Sequence, residues 1–190
     1  MADWQELYTN CENCTACPLA AGRRNVVIGV GDRSADVMLI GEGPGEVEDR
    51  QGIPFVGPAG QLLDKLLCAV GIERDRLYIA NAVKCHPPAN RDPSKDEMEA
   101  CSVHLRDQIE LVSPKVIVCL GRIAAKRLIS EDFRITVEHG RWFDRGGVYC
   151  TATFHPSALL RDPSRRADAF RDMRGVEDMM IKLGLKGLDR

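Results

Sequence analysis

Short apolar runs rich in β-branched residues alternate along the chain with segments of helical period. Four runs bounded by Gly, Pro or charged residues predict strands, namely DVMLI (36–40), LYIANAV (77–83), KVIVCL (115–120) and VYCTATF (148–154). Helical periodicity predicts four helices, in residues 60–71, 94–112, 121–129 and 165–184. This alternation indicates an α/β fold. We expect a three-layer α/β/α sandwich around a four-stranded, mostly parallel sheet.

Polar residues follow each predicted strand, and in parallel sheets the functional site lies outside the carboxyl ends of the strands. That rule selects the loop that starts at Gly41, then Asn81 with Lys84 and Cys85, then Gly121, and finally His155. No internal repeat, low-complexity tract or linker interrupts the 190 residues. We therefore expect one domain over residues 1–190.

Composition and charge narrow the class of protein. Hydrophobic residues make up 44% and charged residues 28% of the chain, as in an ordinary globular protein. No apolar stretch approaches the roughly 20 residues that span a bilayer, and the acidic N-terminus lacks a signal-peptide pattern. We expect a cytoplasmic protein without a membrane partner. The net charge of -2 does not indicate nucleic-acid binding, but LLRDPSRRADAFRDMR (159–174) concentrates five arginines.

The eight cysteines fall into two kinds. Cys68, Cys119 and Cys150 lie in apolar patterns, where a free cysteine behaves as a small hydrophobe. The other five, in polar surroundings, are candidate metal ligands: Cys11, Cys14, Cys17, Cys85 and Cys101. Four thiolates suit either tetrahedral zinc or an iron–sulfur cluster, and the spacing does not separate the two. Such a site would attach the N-terminal segment to the body of the fold.

The loop GEGPGEVEDRQGIPFVGPAGQLLD (41–64) is both glycine-rich and acidic. It is no P-loop, because no Lys-Ser/Thr follows the glycines. It is no dinucleotide fingerprint either, because Gly41, Gly43 and Gly45 alternate instead of following G-x-G-x-x-G. A loop around a small, flat, neutral ligand fits better, since glycines admit close backbone approach and Phe55 could stack on a ring.

Two further polar side chains complete this picture. Asn81 ends the second strand, where its amide could present one donor and one acceptor to a planar edge. His155 ends the last strand and could donate to an oxygen that gains negative charge. Together with Phe55 and backbone donors, they describe a nucleobase pocket.

Four motifs in combination resemble the family 4, iron–sulfur-type uracil-DNA glycosylases. They are GEGPGEVED (41–49), PFVGPAGQLLD (54–64), NAVKCHPPANR (81–91) and FHPSALLR (154–161), and the resemblance runs from about Cys14 to Arg166. It implies excision of uracil from single- or double-stranded DNA, leaving an abasic site. It also implies a [4Fe–4S] cluster held by Cys14, Cys17, Cys85 and Cys101, with Cys11 as a spare thiol. We expect a monomer, because scanning DNA needs no symmetry.

The resemblance also implies roles for individual residues. Uracil would be bound by Gly41, Glu42, Gly43, Phe55, Asn81 and His155. The Asn81 amide would discriminate against cytosine, whereas thymine must be excluded sterically, with Glu48 as one candidate. His155 would stabilise the departing base. DNA would be contacted by Arg161, Arg165 and Arg166, with Leu159 or Leu160 filling the gap left by the flipped nucleotide.

One departure concerns the attacking water. The best-known uracil-DNA glycosylases carry an aspartate in the first motif, and that place is Gly43 here. We expect Glu42 to shape the pocket, and Glu48 or Asn90 to polarise the water. Relatives that trap themselves covalently on the abasic sugar carry GEQPG and a basic insertion, both absent here. A catalytically silent nucleic-acid-binding module and an electron-transfer protein are the alternatives from other classes.

Overall fold

The computed structural model describes residues 3–188, which form a six-stranded sheet with helices on both faces. The strands are β1 Val30–Gly31, β2 Val37–Gly41, β3 Tyr78–Asn81, β4 Val116–Leu120, β5 Phe143–Arg145 and β6 Val148–Thr153. Their order in the sheet is β1-β3-β2-β4-β6-β5. The inner strands β3, β2, β4 and β6 are parallel, and β1 and β5 pair antiparallel at the edges.

The expected α/β class and the four parallel strands are confirmed, but the strand count was too low by two. Both additional strands are short edges. β1 has two residues, and β5 joins β6 through Gly146 and Gly147, both at positive φ. The predicted second strand also ended too late. Beyond Asn81, the backbone N–H groups of Ala82 and Val83 donate to the carbonyls of Gly41 and Glu42.

The helices follow the periodic segments, with additional ones in the loops. They are α1 Trp4–Glu12, α2 Leu19–Gly22, α3 Glu46–Gln51, α4 Pro58–Ala69, α5 Lys95–Val112, α6 Arg122–Leu128, α7 Ile135–Glu138, α8 Pro156–Arg161 and α9 Arg166–Leu183. α5 begins with a capping box: Ser94 accepts from the Glu97 N–H, and the Glu97 carboxylate accepts from the Ser94 N–H. In α3, Glu48 and Asp49 turn inward.

Alternation along the strands creates two apolar faces. Leu39 and Val118 face α4 and α9, where they pack with Leu67 and Met173. On the other face, neighbours such as Met38 pack with residues of α5 and α6. The sheet is therefore the middle layer of three. Because all five residues of β2 and all five of β4 are buried, these strands lack polar alternation.

Candidate active site and cysteine pocket

An open cleft of about 770 Å³ lies at the carboxyl ends of the parallel strands. This volume is within the range of small-molecule sites. Most of the site residues expected from the sequence line it: Glu42, Gly43, Glu48, Phe55, Asn81, Asn90, His155, Leu159, Arg161 and Arg165. Gly41 lies behind the cleft wall, and Arg166 is outside the lining. Residues from four separate loops are thus brought together at one edge of the sheet.

Gly41 allows two of these side chains to meet. A Cβ at this position would lie 2.4 Å from Asn81 Oδ1 and 2.6 Å from Phe55 Cζ, so any larger residue would collide with both. Phe55 is itself unusual, because its φ of 55° is in the left-handed region. Its carbonyl accepts from the Arg74 guanidinium at 3.0 Å. The Phe55 ring is thereby held against the end of β2, facing the cleft.

Asn81 is the most buried polar residue of the cleft, with 1% of its surface exposed. Its Oδ1 has no hydrogen-bond partner among residues 3–188. Since buried polar atoms are nearly always paired, this unpaired oxygen is an exception of the kind that occurs at functional sites. The Asn81 carbonyl is held from behind by the Lys84 ammonium at 2.7 Å.

His155 caps helix α8 and presents a defined tautomer. Its Nδ1 accepts from the Ser157 N–H at 3.2 Å and lies 2.7 Å from Ser157 Oγ. Because a backbone N–H can only donate, the proton of the neutral ring is on Nε2. Burial, and then the positive charge of Arg161, lower the pKa of His155 to about 4. The imidazole is therefore neutral at pH 7, with Nε2–H free to donate.

Glu48 reaches across the loop that follows its helix. Its Oε1 accepts from the N–H groups of Val56 and Gly57, at 3.0 and 2.8 Å. Gly57 is the N-cap of α4, so the carboxylate fixes the start of that helix. The other oxygen lies toward Gly45, where an added Cβ would meet it at 2.7 Å. One oxygen of the Glu48 carboxylate is therefore already bonded to two backbone N–H groups.

Glu42 lies among charged residues at the mouth of the cleft. Burial, and then the negative charge of Asp92, raise the pKa of Glu42 to about 7. Asp92 itself is paired with Arg122, the first residue of α6. Asp92 and Arg122 were not predicted as site residues, although Arg122 directly follows Gly121, a residue that the strand-end rule selected.

Asn90 is at the cleft rim, with a positive φ of 53°. Its Oδ1 lies 3.0 Å from His86 Nε2, which orients the amide. The same loop is anchored by Arg91, whose guanidinium makes two bonds to the Glu97 carboxylate, at 2.8 and 2.6 Å. The Arg91 bonds, with help from the Ser94 N–H, lower the pKa of Glu97 to about 2, although burial acts in the opposite direction.

The structure corrects one residue of the expected DNA contacts. Leu159 is completely buried and packs against Phe154 and Ala169, so it cannot insert into a duplex. Its neighbour Leu160 is 41% exposed and also lines the cleft. The wedge role is therefore open only to Leu160. α8 turns the first leucine into the core and the second toward solvent.

The expected arginines are close to one another but differ in their surroundings. Arg161 and Arg165 line the cleft, and Arg165 lies over the Phe154 ring, 5.7 Å from its centroid. Arg166 instead donates to the carbonyl of Leu159 at 3.2 Å. Arg161 has no salt-bridge partner in the part of the chain that the structure describes.

A second, smaller pocket brings the N-terminal cysteines to the first half of α5. Five thiols line it, from Cys11, Cys14, Cys17, Cys85 and Cys101. Cys11 is also packed against Leu7 and Ile28, and burial raises the pKa of its thiol to about 12. Outside this pocket, Cys119 and Cys150 are buried as expected. Cys68, which was grouped with these two by its apolar sequence pattern, is instead exposed.

Nitrogen donors surround the thiols. Arg23 Nη1 donates to Cys85 Sγ at 3.3 Å and to the Cys14 carbonyl at 2.8 Å. Lys84 is 1% exposed, and burial lowers its pKa to about 8. Its ammonium donates to the Asn81 carbonyl and to Gln108 Oε1. Lys84 therefore connects the cysteine pocket with the strand end that carries Asn81.

The thiols of this pocket suit either a zinc ion or an iron–sulfur cluster. Tetrahedral zinc needs four sulfurs about 2.3 Å from a single point. Across residues 3–188, no three or more His, Cys, Asp or Glu side chains are grouped to hold a metal ion. Five thiols nevertheless share one pocket, where His104 is buried with both ring nitrogens unpartnered. Separately, every helix within residues 3–188 is too short or too polar to span a membrane.

Comparison with known proteins assigns the class. Residues 28–174 match the uracil-DNA glycosylase superfamily. The chain is 48% identical to a type-4 uracil-DNA glycosylase of Thermotoga maritima over 177 residues, covering 91% of this chain and 92% of the relative. It is 41% identical to a type-4 uracil-DNA glycosylase of Sulfurisphaera tokodaii, covering 89% and 81%. A type-5 uracil-DNA glycosylase of Pyrobaculum aerophilum is 32% identical, covering 82% and 84%. The chain belongs to the type-4 uracil-DNA glycosylase family.

Proposed function

We propose that this protein removes uracil from DNA by hydrolysing the N-glycosidic bond, leaving an abasic site and free uracil. The observation that carries this proposal is Asn81. A buried amide whose Oδ1 has no partner lies beside Phe55 in a cleft at the carboxyl edge of the sheet. Uracil in a duplex is stacked, so the enzyme must extrude it, at a cost of a few kcal/mol.

Asn81 reads the base by hydrogen bonding. Its Oδ1 accepts from uracil N3–H, its amide donates to O4, and Phe55 stacks on the ring. Cytosine has an amino group at C4 and no N3 proton, so it leaves both amide atoms mismatched. Sites built on such bonds reject analogues that lack them by large factors. Thymine differs only by the C5 methyl, and the firmly held Glu48 is the candidate for excluding that group.

Cleavage breaks the bond between C1′ and N1. The electron pair leaves with the base and is spread largely onto O2, while the sugar moves toward an oxocarbenium ion. His155 Nε2–H donates to O2 as this charge develops, which is an oxyanion-type stabilisation. Water then adds its oxygen to C1′ and gives up a proton, yielding the abasic sugar and neutral uracil.

The free oxygen of Glu48 and the amide of Asn90 are proposed to orient the attacking water. Replacing both, as Glu48→Gln with Asn90→Ala, should slow single-turnover cleavage by about 10- to 100-fold, because a misplaced water loses the attack geometry. Gln keeps the shape of Glu48 and removes its charge. Rapid-quench kinetics with excess enzyme would measure the rate. An unchanged rate in the double variant would show that neither residue orients the attacking water.

DNA binding is assigned to the exposed arginines and to Leu160. Arg161 and Arg165 would meet phosphates, and Leu160 would occupy the space left by the extruded base. Replacing both arginines with glutamine should reduce the slope of log K against log salt by about 0.9 for each phosphate that is no longer neutralised. Fluorescence anisotropy over a series of KCl concentrations measures that slope. Arg127→Gln, which removes an exposed arginine of α6 paired with Glu99, serves as the control. An unaltered slope in the double variant would contradict the assignment.

We further propose that Cys14, Cys17, Cys85 and Cys101 hold a [4Fe–4S] cluster. The cluster supplies a structural clamp, joining the N-terminal segment to the loop after β3 and to α5. Purified protein should contain about four irons per chain. Cys101→Ala should lose most of this iron and of the absorbance near 400 nm. Cys11→Ser and the exposed control Cys68→Ser should keep it. Iron loss in Cys11→Ser with retention in Cys17→Ser would change the ligand set.

A further inference from the structure

His104 lies in α5, three residues after Cys101, so both residues are on the same face of the helix. It lines the cysteine pocket and is only 6% exposed. Neither Nδ1 nor Nε2 has a hydrogen-bond partner in the described part of the chain. A buried imidazole without any partner is unfavourable, because both nitrogens have lost their bonds to water. The ring is thus placed for a partner other than the described residues.

The charged groups around His104 do not provide that partner. Lys84 and Arg23 are positively charged and are themselves donors, and Asp107 is on the same helix, one turn further. The neutral ring can offer one N–H. Among the side chains that line the pocket, those that could accept a hydrogen bond from this N–H are the cysteines, and sulfur is the acceptor that a bound cluster would add.

One side-chain N–H in this pocket already points at sulfur in the described part of the chain. Arg23 Nη1 donates to Cys85 Sγ at 3.3 Å. No aspartate or glutamate lines the pocket in the described part of the chain. Its lining thus offers N–H donors to sulfur and no carboxylate oxygen. This is the environment in which hydrogen bonds to sulfur adjust the properties of an iron–sulfur cluster.

We propose that His104 donates an N–H···S hydrogen bond to the iron–sulfur cluster, and that this bond protects the cluster from oxidative loss. The proposal rests on the cluster of the proposed function. A donor directed at sulfur withdraws electron density from it, which makes the cluster harder to oxidise. His104 is a positioning and protecting residue, and it takes no part in the glycosidic step.

The test is pulsed electron paramagnetic resonance on holoenzyme carrying ¹⁵N-histidine. The cluster is first converted to a paramagnetic state by one-electron reduction with dithionite or oxidation with ferricyanide. A weak ¹⁵N coupling is expected, of the size that a hydrogen bond transmits. The coupling should disappear in His104→Leu and persist in His86→Gln, which removes the histidine next to Cys85. Retention in His104→Leu, or absence from the wild-type protein, would overturn the proposal. A strong coupling would overturn it too, because His104 would then be an iron ligand.

A second measurement covers the case in which His104→Leu does not fold. The loss of absorbance near 400 nm under air is followed in His104→Gln, which keeps an N–H donor, and in His104→Met, which keeps bulk without one. The control is Val103→Leu on the exposed side of the helix. Bleaching should be about three-fold or more faster in His104→Met, and close to wild type in His104→Gln and the control. Equal rates in all three would refute protection by the N–H. Protein that never contains iron would refute the cluster itself, a separate result.

Discussion

Replacing His155 with leucine should lower the single-turnover rate of uracil excision by about 10²- to 10³-fold, the usual cost of removing one oxyanion donor. The reason is the tautomer that Ser157 fixes. With the Ser157 N–H donating to Nδ1, the ring carries its proton on Nε2, facing the cleft. His155→Gln, which retains an amide N–H, should recover part of the loss. Ser157→Ala, which keeps the backbone donor, should have a smaller effect than either.

The pH profile provides a second check on His155. Burial lowers its pKa to about 4, so the ring is already neutral at pH 5 and stays neutral at higher pH. A neutral N–H donor therefore predicts a rate in which His155 contributes no ionisation between pH 5 and 8. If the donor were the charged imidazolium, the rate would fall tenfold per pH unit above about 4. Such a fall, abolished in His155→Gln, would contradict the neutral-donor mechanism.

Replacing Asn81 with alanine should reduce the preference for uracil over cytosine by about 10²- to 10³-fold, because both base-reading hydrogen bonds are lost. The loss should come mainly from slower cleavage of uracil, with a smaller gain on cytosine. Binding to DNA containing an abasic-site analogue should be nearly unchanged, since that ligand has no base to read. The ratio of the two measurements separates base recognition from DNA affinity.

A conservative variant sharpens this test. Asn81→Asp removes the amide donor and keeps an oxygen acceptor, so uracil O4 meets a carboxylate oxygen instead of an N–H. Excision of uracil should fall as in Asn81→Ala, although the side-chain volume is unchanged. Wild-type uracil activity in either variant would show that the base is read elsewhere in the cleft.

The sheet could be predicted because its inner strands are buried on both faces. Runs such as VIVCL are apolar throughout, and four such runs alternating with helices predicted four parallel strands. The edge strands β1 and β5 were missed because two or three partly exposed residues leave no pattern. α1 was missed because its inward residues, Leu7 and Cys11, are separated by polar ones. Their burial depends on packing against α5 and Ile28, which lie far away in the chain.

Residues of the candidate site could be predicted where they lie at the carboxyl end of a single predicted strand. Asn81 and His155 were selected by that rule, and the structure brings both to the cleft. Features that depend on two distant segments could not be predicted. The contact of Lys84 with Gln108, and the pairing of Asp92 with Arg122, each join residues at least 24 positions apart. The sequence also could not tell which of two adjacent leucines is exposed, because Leu159 is buried and Leu160 is exposed although they are neighbours on one helix.

The glycosylase activity is tested most directly by release of uracil by the cluster-containing protein from an end-labelled oligonucleotide with a single uracil. The reaction is followed by alkali and a sizing gel. Cleavage is expected at that position alone, while matched oligonucleotides with thymine or cytosine stay intact. Intact uracil DNA after incubation with iron-loaded protein would contradict the glycosylase assignment. Asn81, Phe55 and His155 would then form a binding pocket without hydrolytic chemistry.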